Sequence, residues 1–158
     1  MKILIAIEDE TYSNAAIDFV RRCGWTKDVD FKFLHIVEPL LVDSYMCFAP
    51  SPVLTDIVQE HKKWAATLLK TLEDKLKPAL EGGSIETLVI EDFAKSAILE
   101  QSKEWNADLI VMGSHGRKGM NKFLMGSVSQ AVAEHADVPV MIVRVPQKAK
   151  SLDSFDAA

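Results

Sequence analysis

Five short apolar segments alternate along this chain with helical patterns, and this alternation restricts the fold more than any other feature. Residues 3–7, 109–112 and 140–143 are unbroken apolar runs, and residues 31–37 and 85–90 are two further segments of strand character. A run that is apolar on both faces is typical of a central strand in a parallel sheet that helices cover. We therefore expect five strands, most of them buried.

Four amphipathic helical patterns separate these segments. They lie near residues 16–23, 54–76, 94–105 and 128–135, and the second keeps its apolar spacing over six turns. Asp92 is a candidate N-cap for the third helix. Strands that alternate strictly with helices predict an α/β fold, a doubly wound parallel sheet with helices on both faces and right-handed crossovers.

The length of 158 residues fits one domain with a self-sufficient core. We assign the domain to residues 1–145 and expect residues 146–158 to form a loose C-terminal tail. Residues 38–53 contain three prolines and predict a long irregular connection.

Composition narrows the class of protein. Hydrophobic residues make up 48% and charged residues 26%, as in ordinary soluble domains. The net charge of −5 disfavours nucleic acid and anionic membranes as main partners. Only Cys23 and Cys47 are present, without a CxxC motif, and no apolar run approaches the ~20 residues of a membrane span. We expect a cytoplasmic protein without disulfides or membrane insertion.

A glycine-rich segment follows the fourth predicted strand and leads into the fourth helix. It contains Gly113, Gly116 and Gly119, and it is followed by Gly126 and Ser127. Glycines allow backbone N–H groups to approach an anion, and a helix N-terminus adds unpaired N–H donors. The charged residues between 109 and 133 are all basic: Arg117, Lys118 and Lys122. This segment therefore predicts a phosphate-binding loop, although neither GxGxxG nor GxxxxGK[ST] occurs there.

The spacing Gly113-x2-Gly116-x9-Gly126-Ser127 resembles the nucleotide motif of the universal stress protein family. Residues 107–144 are similar to the C-terminal half of that family, and residues 2–10 and 33–39 to its first two strands. The resemblance covers about residues 1–145. It implies a five-stranded sheet of order 3-2-1-4-5 and binding of ATP, with Mg²⁺ or Mn²⁺ on the phosphates.

The resemblance also implies which residues form the site. Adenine would lie near Ala6, Ile36 and Met112, and Glu8 stands where relatives usually have an aspartate that contacts the adenosine. The remaining candidates would surround ribose and phosphates: Gly113, His115, Gly116, Arg117, Gly126, Ser127, Val128 and Ser129. Glu8-Asp9-Glu10 departs from the Asp-Gly-Ser that is more common in the family. We expect Asp9 and Glu10 to face solvent or the metal.

Resemblance further implies a homodimer. The last strand, between Pro139 and Arg144, is an edge in the order 3-2-1-4-5, and an apolar edge invites pairing with a copy of itself. A proline at Met141 would remove one N–H donor from that strand.

Several residues have alternative interpretations. The glycines could form a plain surface turn, and Arg117 with Lys118 a solvated loop. Ser127 and Gln130 have the spacing of a capping box, so that Ser127 could serve only as an N-cap. Glu8 could end a solvated strand. We interpret His35 as a core histidine and His61 and His135 as core or interface residues, because no pair has metal-binding spacing.

The function that we predict is an ATP-binding regulatory or stress-response module whose occupancy changes contacts with itself or a partner. A slow ATPase or phosphotransferase at the same site is the second possibility, although no Walker lysine, kinase signature or evident general base is present. A nucleotide-free dimeric interaction protein is the third. We expect no catalytic residues and no protein-derived metal site.

Overall fold

A computed structural model of the protein describes residues 1–39, 52–114 and 125–144, with only the backbone at residues 52–54. Strands and helices alternate in the predicted order. The elements are β1 (Lys2–Ile7), α1 (Glu10–Arg22), β2 (Asp30–Val37), α2 (Pro52–Leu76), β3 (Ile85–Glu91), α3 (Ala94–Glu104), β4 (Leu109–Gly113), α4 (Ser127–His135) and β5 (Val140–Val143), with a 3-10 turn at Lys77–Ala79.

The five strands form one parallel sheet of order β3-β2-β1-β4-β5, which confirms the prediction. β1 is central: Ile5 is aligned with Phe33 of β2 on one side and with Val111 of β4 on the other. β3 and β5 are the two edges. The first two crossovers therefore run to one side of β1, and the chain then returns to β4 on the other side.

Alternating residues of the strands face two separate cores. Ile3, Ile5 and Ile7 of β1 pack with apolar residues of α1 and α2, whereas Leu4 and Ala6 pack with those of α3 and α4. Phe31 and Phe33 are fully buried in the first core. Burial on both faces explains why the central strands are continuous apolar runs in the sequence.

Helix α1 has capping groups of the expected kind at both ends. The Asp9 carboxylate accepts a hydrogen bond of 2.9 Å from the Tyr12 N–H, and Arg21 with Arg22 lies in the last turn, where cations interact favourably with the helix dipole. Helix α3 differs from the prediction that Asp92 is its N-cap. The N-cap is Phe93, because the Asp92 carboxylate accepts from the adjacent Phe93 N–H at 2.7 Å instead of reaching the first turn.

The histidine interpretations are confirmed in part. His35 is only 2% exposed, and its Nδ1 lies 2.9 Å from the Ile7 carbonyl oxygen, so it is a core histidine with a backbone partner. Its ring packs edge-on against His61 and Trp64 of α2. His135 is exposed at the end of α4, where Nδ1 lies 2.8 Å from the Ala131 oxygen, so it is not a core residue.

Two predicted segments lie largely outside the described residues. Of the irregular connection at 38–53, residues 40–51 are not described, and Pro52 already belongs to α2. The tail, 146–158, is likewise outside. Within the described ranges, no helix combines the length and the apolar character that crossing a bilayer requires.

Candidate functional site

The candidate site lies where the carboxyl ends of β1 and β4 meet. Strand order reverses between these two strands, since β2 follows β1 on one side and β4 lies on the other. At such a switch point the two neighbouring crossovers leave in opposite directions and open a crevice. The crevice therefore lies beside residues 6–8 of β1 and its extension and residues 112–114 at the end of β4.

Four candidate residues for the nucleotide belong to one apolar cluster. Met112 is 5% exposed, and Ala6, Ile36 and Val128 are partly buried around the same core. They come from β4, β1, β2 and the first turn of α4. Partial exposure at the rim of a core leaves apolar surface on which a flat base can pack. The fold thus brings together four residues that are far apart in the sequence.

A hydrogen bond joins the two ends of the glycine-rich loop. The Gly126 N–H donates to the Ser114 carbonyl oxygen at 2.9 Å, and the Ser114 N–H donates to the Val143 oxygen at 3.0 Å. Ser114 is 3% exposed. The N-terminus of α4 is thereby held against the end of β4. Sequence reasoning missed Ser114, although it lies between two glycines of the predicted loop.

The N-cap of α4 is Gly126, which corrects the interpretation of Ser127 as a capping residue. Gly126 has φ −61° and ψ 148°, and no side chain caps the helix. The bond to Ser114 keeps residue 126 extended, and the helix starts at Ser127, one residue earlier than a capping box with Ser127 as N-cap would require. Ser127 is exposed at the first helical position, and the Gln130 side chain donates to Glu134 at 2.9 Å instead.

The first N–H groups of α4 lie beside the crevice. The Gln130 N–H makes the first intrahelical bond, to the Gly126 oxygen at 2.9 Å. The N–H groups of residues 127–129 have no acceptor within the helix, because the acceptors would lie before its start. Together with the positive end of the helix dipole they favour an anion.

Gly113 and Ser129 brace this arrangement. A β-carbon on Gly113 would lie 3.1 Å from Cβ and 3.2 Å from Cγ of Tyr12, so glycine allows α1 to approach the end of β4 closely. The buried Ser129 hydroxyl donates to the Gly113 oxygen at 2.8 Å. Both residues were predicted as ligand contacts, which stays a prediction, and the structure adds these packing and hydrogen-bonding roles. Tyr12 carried no signal in the sequence.

The acidic run at the end of β1 is divided between different roles. Glu8 is exposed one residue beyond β1, on the crevice side of the sheet end. Asp9 is partly buried, and its carboxylate caps α1 by accepting a hydrogen bond from the Tyr12 N–H at 2.9 Å, a role that was not predicted. Its approach to a metal stays a prediction. Glu10 is exposed in the first turn of α1, where an acid interacts favourably with the helix dipole.

Comparison with known proteins agrees with this architecture. The family model described as "Universal stress protein family" matches residues 1–144. The chain belongs to the universal stress protein family. That match spans every described strand and helix, including the crevice and the edge strand β5.

Two similar universal stress proteins come from bacteria. The chain is 29% identical over 147 residues to the universal stress protein YxiE of Bacillus subtilis, which covers 90% of this chain and 98% of the relative. It is 31% identical over 147 residues to the universal stress protein A homolog 2 of Coxiella burnetii, covering 91% of this chain and 94% of the relative.

Three solved universal stress protein structures share the fold. The UspA protein of Lactobacillus plantarum has a TM-score of 0.74 at 21% identity, covering 91% of this chain and 97% of that one. An Arabidopsis thaliana family member with AMP bound has a TM-score of 0.68 at 20% identity, covering 97% of each chain. An Archaeoglobus fulgidus member in complex with dAMP has a TM-score of 0.55 at 18% identity, covering 90% and 97%.

The candidate residues of this universal stress protein thus fall into two groups. Nine lie together around the crevice: Ala6, Glu8, Ile36, Met112, Gly113, Gly126, Ser127, Val128 and Ser129. His115, Gly116 and Arg117 lie outside the described residues, so their part in the site stays a prediction.

Proposed function

We propose that this protein binds an adenine nucleotide, ATP above all, in the crevice between β1 and β4. The observation that supports this most is the Gly126–Ser114 hydrogen bond of 2.9 Å. It holds the anion-binding end of α4 beside the apolar rim of Ala6, Ile36 and Met112. An apolar surface for a base next to N–H donors for phosphate is the chemistry that a nucleotide needs.

The base is proposed to be adenine because of the ligands of two relatives. The Arabidopsis protein was solved with AMP and the Archaeoglobus protein with dAMP, and both nucleotides carry adenine. The preference for ATP over AMP rests on the basic loop, since Arg117 and Lys118 would add positive charge near the outer phosphates.

A divalent metal, Mg²⁺ or Mn²⁺, is proposed to bind through the phosphates. In the described part of the chain no group of three His, Cys, Asp or Glu side chains is arranged to hold a metal ion. Phosphate oxygens are ligands that these hard cations accept readily. The metal would neutralise part of the triphosphate charge, while the protein supplies the backbone N–H groups of α4.

We propose a regulatory role rather than catalysis, in which occupancy affects self-association or partner binding. The backbone of Ser114 offers a physical link, since its carbonyl oxygen and its N–H both make hydrogen bonds. Its oxygen accepts from Gly126 at the crevice, and its N–H donates to Val143 of the edge strand β5. A phosphate that shifts the start of α4 would act on the same residue that positions the end of β5.

Small molecules released from the purified protein by denaturation and identified by mass spectrometry test the proposal. An adenine nucleotide in near-stoichiometric amount is expected. If none is retained and calorimetry shows no ATP binding at millimolar concentration, the nucleotide-free alternative holds. Turnover above about 1 per minute would favour an enzyme, since typical enzymes run near 10 per second.

Glu8→Ala is expected to weaken ATP binding about 10- to 150-fold. A hydrogen bond to a charged group contributes ~1.5–3 kcal/mol, at ~1.4 kcal/mol per tenfold in affinity. Glu8→Asp is expected to change the affinity much less. Glu10→Ala is the matched control, because Glu10 is also exposed but belongs to α1. Calorimetry measures the ATP affinity of the three variants. Tighter binding by Glu8→Ala would contradict the contact and mean that the Glu8 carboxylate repels the nucleotide.

Self-association is proposed to occur through β5. The strand register shows that Met141 is the wrong position for a proline substitution that tests this pairing. The carbonyl oxygens of Pro139 and Val143 accept hydrogen bonds of 3.0 Å from the N–H groups of Ile110 in β4 and of Ser114 directly after β4. Backbone groups alternate along a strand, so those of Met141 also face β4, and those of Val140 and Ile142 face outward. A proline at Met141 would therefore damage the sheet itself.

Ile142→Pro is expected to convert a dimer into a monomer while the domain stays folded. It removes an outward-facing N–H donor, and proline is tolerated on the free side of an edge strand. Met141→Pro is the contrasting variant. It is expected to lose a backbone hydrogen bond to β4 and to have a lower melting temperature than Ile142→Pro. Light scattering at tens of micromolar measures the result. A wild type that is monomeric under these conditions contradicts pairing through β5.

A further inference from the structure

A broad groove lies beside β5 on the α1 face of the sheet, whereas the apolar residues of the nucleotide crevice face the other core. It is lined by the exposed side of α1 and by residues 141–144, and we call it the arginine groove after Arg21, Arg22 and Arg144. Its volume is about 1240 Å³. Clefts for drug-sized ligands measure roughly 300–1,000 Å³, so an open groove of this size suits a peptide segment better.

The charge of the arginine groove is mostly uncompensated. Within the described part of the chain neither Arg21 nor Arg144 forms an ion pair, and Arg22 donates only to the Asp18 backbone oxygen, at 3.3 Å. Asp18 is the acid among the lining residues, and its carboxylate already lies 3.5 Å from the Lys75 ammonium. A protein of net charge −5 thus presents three guanidinium groups around one groove.

The floor of the arginine groove is apolar. Ala15, Phe19 and Met141 line it, and all three are partly buried against the core beneath. Phe19 is also fixed edge-on against Trp25, with ring centroids 6.0 Å apart. An occupant that fits would therefore combine apolar side chains with acids.

The sequence contains such a segment directly after the groove. The described chain ends at Arg144, which itself lines the groove, and residues 152–156 read Leu-Asp-Ser-Phe-Asp. Phe155 follows Arg144 by eleven positions. Eleven residues span up to roughly 36–40 Å when extended, so this segment can reach back over the groove with slack.

We propose that residues 152–156 dock in the arginine groove of their own chain. Leu152 and Phe155 cover the apolar floor, and Asp153 and Asp156 pair with the arginines at its rim. The tail then acts as a tether across the α1–β5 side of the domain, on the strand that the proposed dimer uses. The proposal does not depend on nucleotide binding.

Disulfide trapping in the full chain tests this docking. Cys23 is exposed and follows Arg22 at the end of α1, beside the groove. In a Cys47→Ser background, Ser154→Cys places a thiol in the middle of the docking segment. Oxidised glutathione forms the disulfide and is itself reduced to two thiols. The expected product is a monomer in which Cys23 is linked to the thiol introduced at position 154, seen by non-reducing electrophoresis and peptide mapping.

Two tail variants measure what drives the reaction. The double variant Asp153→Lys with Asp156→Lys is expected to slow disulfide formation about fivefold to thirtyfold, because it removes two surface ion pairs. The new lysines act in the opposite direction on reactivity, since nearby positive charge increases the fraction of the thiol that is ionised. Phe155→Ser is expected to slow it by about tenfold through lost apolar contact. Lys148→Glu with Lys150→Glu is the control, with an equal number of charge reversals in the same tail and no slowing.

Rates are normalised to those of the same chains in urea, which removes differences in thiol reactivity. Equal normalised rates in all variants would mean that the tail makes no specific contact, and the proposal would be overturned. A dimer linked between Cys23 of one copy and the thiol at position 154 of the other, as the main product, would mean that the tail of a second copy fills the groove. Dimers linked between two identical positions would mean that the tail is not held beside Cys23, and either product contradicts docking within one chain.

Discussion

Gly126→Val is expected to weaken adenine-nucleotide binding at least about 100-fold while the sheet stays intact. Gly126 precedes the N–H groups of residues 127–129, which would hold phosphate. A branched side chain at this point blocks the approach of an anion to them. Loss of two charge-assisted hydrogen bonds at ~1.5–3 kcal/mol each accounts for an effect of this size.

The fold is expected to survive because valine accepts the local backbone. Gly126 has φ −61° and ψ 148°, which is not a glycine-specific conformation, and its N–H can still donate to Ser114. A less favourable N-cap costs about 1 kcal/mol. Ala133→Val, on the exposed middle of α4, is the control for a branched residue in this helix. Calorimetric ATP affinity in Gly126→Val within threefold of wild type would contradict the site.

Gly83→Ala is expected to destabilise the fold by about 3 kcal/mol or more, with no direct effect on the crevice. Gly83 has φ +80°, and a β-carbon there would lie 2.1 Å from the Val29 carbonyl oxygen and 2.6 Å from its carbon. Because the clashing atoms belong to the Val29 backbone, no side-chain rotation can relieve the clash. The neighbouring connections would have to separate where Phe31 N–H donates to the Ser84 oxygen at 2.8 Å.

Gly24→Ala separates the cost of a positive φ from the cost of the steric clash in the stability lost by Gly83→Ala. Gly24 also has a positive φ, +69°, but nothing lies within 4 Å of its hypothetical β-carbon. It should show the conformational cost alone, about 1 kcal/mol. Thermal unfolding measures both variants, with about 2–4 °C per kcal/mol for a domain of this size. Equal melting temperatures for the two variants would mean that the connections at Val29 and Gly83 adjust freely.

The nucleotide crevice shows how far local sequence patterns reach. Glycine spacing is local, so Gly126 could be assigned to a phosphate-binding loop from the sequence, and the family resemblance added Ala6 and Met112 to the same candidate site. Their partners could not be assigned in this way. The bond from Gly126 to Ser114 and the contact of Gly113 with Tyr12 join residues whose separation in sequence leaves no periodic signal.

The start of α4 illustrates the same limit at one residue. Ser127 and Gln130 have capping-box spacing, and an isolated helix would use it. In the folded chain the N-cap is Gly126 instead, because its N–H donates a hydrogen bond to the Ser114 oxygen. Likewise, Asp9, which departs from the common family pattern, contributes to the stability of α1, since its carboxylate accepts a hydrogen bond from the Tyr12 N–H.

Sequence patterns were sufficient for the element order, the parallel doubly wound sheet and the family, because burial on both faces makes each central strand an apolar run. Three features required the folded chain: which backbone groups of β5 face outward, how the glycine loop is closed, and that Arg21 and Arg144 share one groove. These depend on strand register and on contacts between distant segments. Hydrophobic periodicity records which face is buried, but it does not record which residue of another segment lies opposite.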